Sequence, residues 1–170
     1  MSISESDLQC IEQLLGREPR GLQAVAVRDN EGVPMVLRVA SLVEGKPFPT
    51  MFWLIDKRLN YAIDQVEARG LIAQLQEVVN ASPDLQADME RDHLAHIQQR
   101  LSYMSDEEKA KVESLGFMDV LSARGIGGIA DFHRIRCLHT YYASHLVQSN
   151  TVGRLLDEYW REAGVVFPHI

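Results

Sequence analysis

The stretch Lys46-Pro-Phe-Pro-Thr-Met-Phe-Trp-Leu-Ile-Asp56 decides the fold. Its two prolines exclude a helix over the first four residues, and the nearly continuous apolar run Thr50-Met-Phe-Trp-Leu-Ile55 reads as a strand buried on both faces. Asp56 then offers a cap for a helix with Leu59, Ile63 and Val66 on one stripe. The chain therefore changes here from strands to helices. Upstream, two valine-rich segments, 22–28 and 35–40, flank Asp29-Asn-Glu-Gly32, which has the chemistry of a hairpin turn. Before them Ser6-Asp-Leu-Gln9 reads as a capping box, opening a short helix with Leu8, Ile11, Leu14 and Leu15 that Gly16 stops.

Downstream, Gly70 interrupts the helical pattern before Ile72, Leu75 and Val79 resume it. Ser82-Pro83 opens a long helix to about Tyr103, and the capping box Ser105-Asp-Glu-Glu108 opens another that Gly116 stops. The loop Gly125-Ile-Gly-Gly-Ile129 leads to a predicted helix over 132–147. A last helix carries Val152, Leu155, Leu156 and Tyr159 and ends at Gly164. The expected class is α+β. A small, largely antiparallel three-stranded sheet in residues 1–56 packs on a larger body of about six helices in 57–170, all in a single domain over 1–170.

The composition narrows the functional classes. Seventeen Lys and Arg against 24 Asp and Glu give a net charge of -7 over 170 residues, which opposes general binding to nucleic acid or acidic membranes. No apolar run approaches the roughly 18 residues of a membrane span. Cys10 and Cys137 cannot build a disulfide framework, and Met1-Ser-Ile-Ser-Glu-Ser-Asp7 lacks the pattern of a signal peptide, so a cytoplasmic protein is expected.

Two segments hold the candidate chemistry. On the long helix, Met89, His93, Ile97, Leu101 and Met104 share one face, with Arg100 in the same arc and His96 at its edge. A buried guanidinium needs partners, either an internal carboxylate or an anionic ligand in a cleft. Glu90-x-x-His93 also has the spacing of a metal-binding pair, but a single pair is not a site. The second segment, 124–154, holds four arginines against Asp131, so it carries +3 and the remainder -10. Its loop Gly125-Ile-Gly127-Gly128 offers backbone amides to a phosphate or carboxylate, or simply turns the chain. That loop also fits G-x-G-x-x-A, yet it lacks a βαβ unit and the acid about 20 residues on, which excludes a dinucleotide site. In the predicted helix over 132–147, Cys137 and His139 stand about 200° apart, whereas His133, Cys137 and Tyr141 share a side. Cys137 is then either a small buried residue or a nucleophile activated by His133. With no C-x-x-C pair, and Cys10 remote, no metal is expected.

Four segments, Leu15-Gly-Arg-Glu-Pro-Arg-Gly21, Gly45-Lys-Pro-Phe-Pro-Thr50, Val66-Glu-Ala-Arg-Gly70 and Arg134-Ile-Arg-Cys-Leu-His139, together resemble the bacterial family catalogued as domain of unknown function 501 (DUF501). The resemblance spans about Leu15 to Trp160 and keeps the order of the motifs. It marks Arg17, Arg20, Pro47, Pro49, Thr50, His93, Arg100, Gly127, Gly128, Cys137 and His139. It implies no activity. Actinobacterial members are often encoded near septum-formation initiators and exopolyphosphatase-type phosphatases, which implies a link to division or phosphate metabolism. Members also carry cysteines in the first hairpin turn and just after the third strand. This chain has Asp29-Asn-Glu-Gly32 and Ile55-Asp-Lys-Arg58 there, so a family-wide cysteine metal site is not expected in it.

The sequence thus leads to two expectations. One is a domain that binds, and acts on, a phosphorylated or carboxylated small molecule. Arg17, Arg20, Arg100 and Arg136 would clamp the anion beside Gly127 and Gly128, with His93, His139 and Cys137 as catalytic candidates. The other is a regulatory adaptor that docks on a protein partner through exposed Tyr141, Tyr142, Tyr159 and Trp160.

Overall fold

Valine and other branched side chains build the sheet in the computed structural model, which describes residues 3–170; Met1 and Ser2 of the acidic start lie outside the described residues. Strand β1 (Leu22–Arg28) turns through Asp29–Gly32 into β2 (Pro34–Val39), and β2 pairs antiparallel with β1 on one side. On its other side β2 pairs antiparallel with β5 (Phe52–Leu54). Between β2 and β5, the two-residue strands β3 (Leu42–Val43) and β4 (Lys46–Pro47) form a separate small hairpin. The buried central strand is therefore β2. The apolar run quoted above is an edge strand: Phe52 is buried while Trp53 and Leu54 are only partly so, because β5 pairs with β2 alone.

Helix α1 (Glu5–Leu15) precedes the sheet and packs Ile11 against Leu37 and Ile55. Its capping box starts at Ser4 and not at Ser6: Ser4 Oγ accepts the Asp7 amide, and the Asp7 carboxylate accepts the amide of Ser4. Seven helices follow β5: α2 (Lys57–Ala68), α3 (Leu71–Asn80), α4 (Pro83–Tyr103), α5 (Asp106–Ser114), α6 (Met118–Ala123), α7 (Leu138–Val147) and α8 (Thr151–Glu162). The class is α+β, as the sequence indicates. The helix that the sequence pattern does not resolve is the six-residue α6.

The predicted caps hold at α2, where Asp56 accepts the Leu59 amide, and at α4, where Ser82 accepts the Leu85 amide. Leu59, Ile63 and Val66 of α2 join Met35, Val36 and Phe52 of the sheet and Leu138, Tyr141 and Tyr142 of α7 in the main core. Tyr141, Tyr142 and Trp160 are thus core residues, 3 to 4 % exposed. A docking surface built on them is ruled out, because the aromatic rings are the apolar face that α7 and α8 bury.

The hairpin turn and the start of α2 meet. Arg58 donates to Asp29 at 2.9 Å and to Asp56 at 2.8 Å, and His169 Nε2 lies 3.4 Å from Asp56 Oδ1. An ion-pair network therefore stands where the resemblance places cysteines.

The largest departure from the sequence reading is at α7, which begins at Leu138 and not near Phe132. Backbone groups that a helix would use are taken by distant side chains. Gln76 donates to His133 O and accepts from Ile135 N, both at 2.9 Å, and Tyr141 Oη donates to Arg134 O. Residues 132–137 consequently run outside the helix, with Cys137 as the cap residue in extended conformation.

Candidate functional site

Moving Cys137 from the helix interior to its N-cap changes what it can reach. Cys137 Sγ lies 3.7 Å from His139 Nδ1, so the 200° separation expected for an unbroken helix does not apply. The other ring nitrogen, Nε2, is 2.9 Å from Asp64 Oδ1. Glu67, one turn further along α2, places Oε1 3.5 Å from Nδ1 and also accepts the Leu138 amide at 2.8 Å. A carboxylate from a neighbouring helix thus supplies the acceptor that the N-terminus of α7 needs. Among the described residues, donor atoms of Glu67, Cys137 and His139 all lie within 4.8 Å of one another.

The electrostatics follow from this geometry. Burial pushes the Cys137 thiol up, but the His139 hydrogen bond and the Thr140 amide outweigh it and leave the thiol below its usual range. His139 rises to about 9, chiefly through its bond to Cys137, with the Glu67 and Asp64 charges adding to it against the cost of burial. These are the features of a thiol and an imidazole sharing a proton, with the ring oriented by a carboxylate.

Beside them opens an apolar groove of about 210 Å³, lined by Phe48, Thr50, Phe52, Trp53 and Leu54 on the sheet side and by His139 and Thr140 of α7. The guanidinium of Arg17 sits 5.3 Å from the Trp53 ring centroid. The glycine loop supports the opposite side of this wall. A Cβ at Gly127 would lie 2.6 Å from Thr140 Oγ1 and one at Gly128 2.9 Å from Pro49 Cγ, and both residues have positive φ. Glycine is required at both positions for close packing as well as for backbone conformation.

The loop does not present a cradle of amides. The Gly125 amide donates to Ile129 O, the Ile126 amide to His93 Nδ1 and the Gly128 amide to Gly125 O.

Of the residues singled out in the sequence, the structure brings Cys137 and His139 together, sets Thr50 in the same groove with Arg17 over its Trp53 wall, and places His93, Arg100, Arg20 and Arg136 elsewhere. His93 is fully buried. It accepts the Ile126 amide on Nδ1, donates from Nε2 to Tyr141 Oη at 3.0 Å and stacks on Phe132. Glu90 faces outward to His133 Nε2 at 2.7 Å, so the Glu90-x-x-His93 spacing does not form a pair. Arg100 is also fully buried, and its partners are neither a carboxylate nor an open cleft. It donates to the backbone carbonyls of Leu121, Arg124, Pro49 and Gly125. Arg20 pairs with Glu44 at the surface, and Arg136 rims an open recess with Asp131, Arg134 and Ile135. Sequence reasoning missed Asp64 and Glu67. The available signal was their i, i+3 spacing, which places both on one face of α2.

One buried contact gives a direct stability test. A Cβ at Gly125 would fall 2.2 Å from His93 Nδ1, although the backbone there suits any residue. Gly125→Ala is therefore expected to cost about 1–3 kcal/mol by overpacking. Urea denaturation measures it, and a loss below about 0.5 kcal/mol would show that the His93 ring can move aside.

Layers of this kind, with a thiol, an imidazole and two carboxylates where helix α7 meets α2, define an α+β protein with a cysteine–histidine corner. The chain belongs to the family described as Protein of unknown function (DUF501), whose profile matches residues 25–158. No curated protein and no solved structure matches the chain. Segments from all four motifs that carry the resemblance converge on this corner, through Arg17, Phe48 and Thr50, Glu67, and Cys137 with His139. No helix among the described residues is long and apolar enough to cross a membrane.

Proposed function

We propose that this protein binds a small molecule in the groove beside His139 and that Cys137 Sγ adds to an electrophilic carbon of it, the bond from that carbon to its leaving group breaking as the thiol proton passes through His139 to the departing group. His139 holds the thiol proton, and Asp64 keeps the ring oriented. The observation that carries this reading is the relay itself: Sγ to Nδ1 at 3.7 Å and Nε2 to Asp64 at 2.9 Å, at the head of a ten-residue helix. A nucleophile, a base and a group that orients the base are the minimum set for covalent catalysis. Asp64 and Glu67 oppose a free anion at the ring, so the apolar groove takes an uncharged part of the ligand.

The test compares the two cysteines of one molecule. At pH 7, iodoacetamide is expected to modify Cys137 at least about tenfold faster than Cys10, as an activated thiol requires. His139→Gln and Asp64→Asn should each bring the rate toward that of Cys10. Equal rates for the two cysteines in the unaltered protein, followed by peptide mass mapping, would remove the nucleophile.

A docking role rests on the rim of the groove near the C-terminus, where Val165, Val166 and Ile170 are exposed above the buried Tyr142 and Trp160 and Val166 reaches 78 % exposure. Substituting Val166→Asp should then abolish capture of a defined partner from cell extract while leaving the thermal midpoint unchanged. Unaltered capture by the variant would remove this surface from consideration.

A further inference from the structure

We infer that Glu67, Cys137 and His139 also form a binding site for a thiophilic divalent cation of the zinc type, independent of the covalent reading above. Zinc bonded tetrahedrally to sulfur, nitrogen and oxygen at its usual lengths sets its ligand atoms about 3.4–3.6 Å apart. The structure places Sγ and Nδ1 3.7 Å apart and Nδ1 and Oε1 3.5 Å apart, both close to those values, with all three donor atoms within 4.8 Å of one another. The donor atoms belong to two rigid helix segments, the N-terminal end of α7 and the last turn of α2.

The surrounding groups suit a metal as well. Asp64 engages Nε2, which turns the Nδ1 lone pair toward the sulfur and the carboxylate; a carboxylate behind a histidine is the usual second partner of a metal-bound imidazole. Leu138 N–H fixes the Glu67 carboxylate and still leaves that oxygen a lone pair. The N-terminus of α7 is electropositive, but a thiolate and two carboxylates around the ring offset it. A mixed sulfur, nitrogen and oxygen set favours zinc over magnesium or calcium, which take oxygen alone. Three protein ligands leave one tetrahedral position for water or a ligand.

A cation here occupies the lone pairs that the nucleophile and its base need. Metal-loaded protein is therefore silent toward alkylation, and metal occupancy acts as an off state for any Cys137 chemistry.

The experiment uses the full chain, stripped of metal by chelator and titrated with Co²⁺ as a coloured stand-in for zinc. One equivalent should produce a thiolate-to-cobalt charge-transfer band that Zn²⁺ then bleaches. Cys137→Ser should abolish the band. Glu67→Gln, which keeps a carbonyl oxygen for the Leu138 amide, should weaken binding at least tenfold while the metal-free variant still unfolds in one cooperative transition. Absence of a thiolate band at micromolar protein, or a band that survives Cys137→Ser, overturns the inference. Alkylation of the stripped protein separates the two proposals. Fast modification of Cys137 with no cobalt band leaves the nucleophile and removes the metal site. A cobalt band with slow modification does the reverse.

Discussion

Replacing Arg100 by methionine is expected to remove about 3–5 kcal/mol of stability, the largest effect of any single substitution considered for this chain. Arg100 is fully buried, and burial pulls its guanidinium down to about 10, which still leaves it charged at neutral pH. Among the described residues its charge is met by four backbone carbonyl oxygens. Nη1 donates to Leu121 O and Arg124 O at the C-terminal end of α6, while Nη2 donates to Pro49 O at 2.6 Å and Gly125 O at 3.3 Å.

One side chain thus caps a six-residue helix that is too short to hold itself, and it pins both the glycine loop and the approach to β5. Methionine fills the volume but leaves the carbonyls without donors, each costing about 1–3 kcal/mol where no water reaches. Lysine keeps the charge but cannot reproduce the planar fork, so Arg100→Lys should lose most of the same stability. For a chain of this size the thermal midpoint should fall by roughly 6–20 °C. Equilibrium denaturation in urea measures the loss. A value under about 1 kcal/mol for Arg100→Met would mean that water replaces the guanidinium and that the four carbonyls are not sealed.

The contrast between Arg100 and Cys137 shows which parts of this molecule can be read from its residues. The helix of Arg100 is written locally: Ser82-Pro83 starts it, and the stripe from Met89 to Met104 orients it, so burial of His93 and Arg100 follows from spacing alone. The partners of Arg100 do not follow, because backbone carbonyls have no letter in the sequence. Side-chain identity alone therefore points to a carboxylate or a ligand in their place. The same limit governs the cysteine corner. Where α7 begins is decided by Gln76, some 60 residues upstream, which takes the His133 carbonyl and the Ile135 amide.

Local propensity carries the helix back to Phe132 and sends Cys137 and His139 to different sides. A single tertiary contact of this kind reverses the geometry of the site. Asp64 and Glu67 were hidden for another reason. Acidic residues on the polar side of an amphipathic helix are ordinary, and only the approach of α7 gives these two a purpose. By contrast, the hairpin, the change from strand to helix at Asp56 and the break at Gly70 rest on turn and cap chemistry within a few residues. All three are observed in the structure.

Acid should destabilise this protein steeply between pH 6.5 and about 4, through two histidines and before most carboxylates titrate. Burial holds His93 down to about 4, and burial aided by the Arg100 charge holds His96 down to about 3. The hydrogen bonds agree with a neutral His93. Its Nδ1 accepts the Ile126 amide, so a proton on that nitrogen would face an N–H group, and its Nε2 already donates to Tyr141 Oη. His96 has Ser144 Oγ at 3.4 Å from Nδ1, while Nε2 is buried without a partner among the described residues.

Both rings have folded values below the unfolded value of about 6.5, so the unfolded chain binds more protons throughout the interval between them. Their contribution is complete above pH 6.5 and is lost as pH falls, down to about 4 for His93 and about 3 for His96. Each ring then contributes a slope of about 1.4 kcal/mol per pH unit, and the two together close to 3. His139 does not cancel this. Its value is raised to about 9, so its contribution is fully present below 6.5 and is lost only as pH rises toward 9. Urea midpoints at pH 7.0, 6.0, 5.0 and 4.5 should therefore fall progressively, with little change between pH 7.0 and 6.5. Proton NMR of the same samples should show two imidazole C2 protons still at neutral positions at pH 5. A stability slope below about 0.5 kcal/mol per pH unit, or both rings titrating near 6.5, would mean that water reaches His93 and His96 and that the core around α4 opens more readily than its packing indicates.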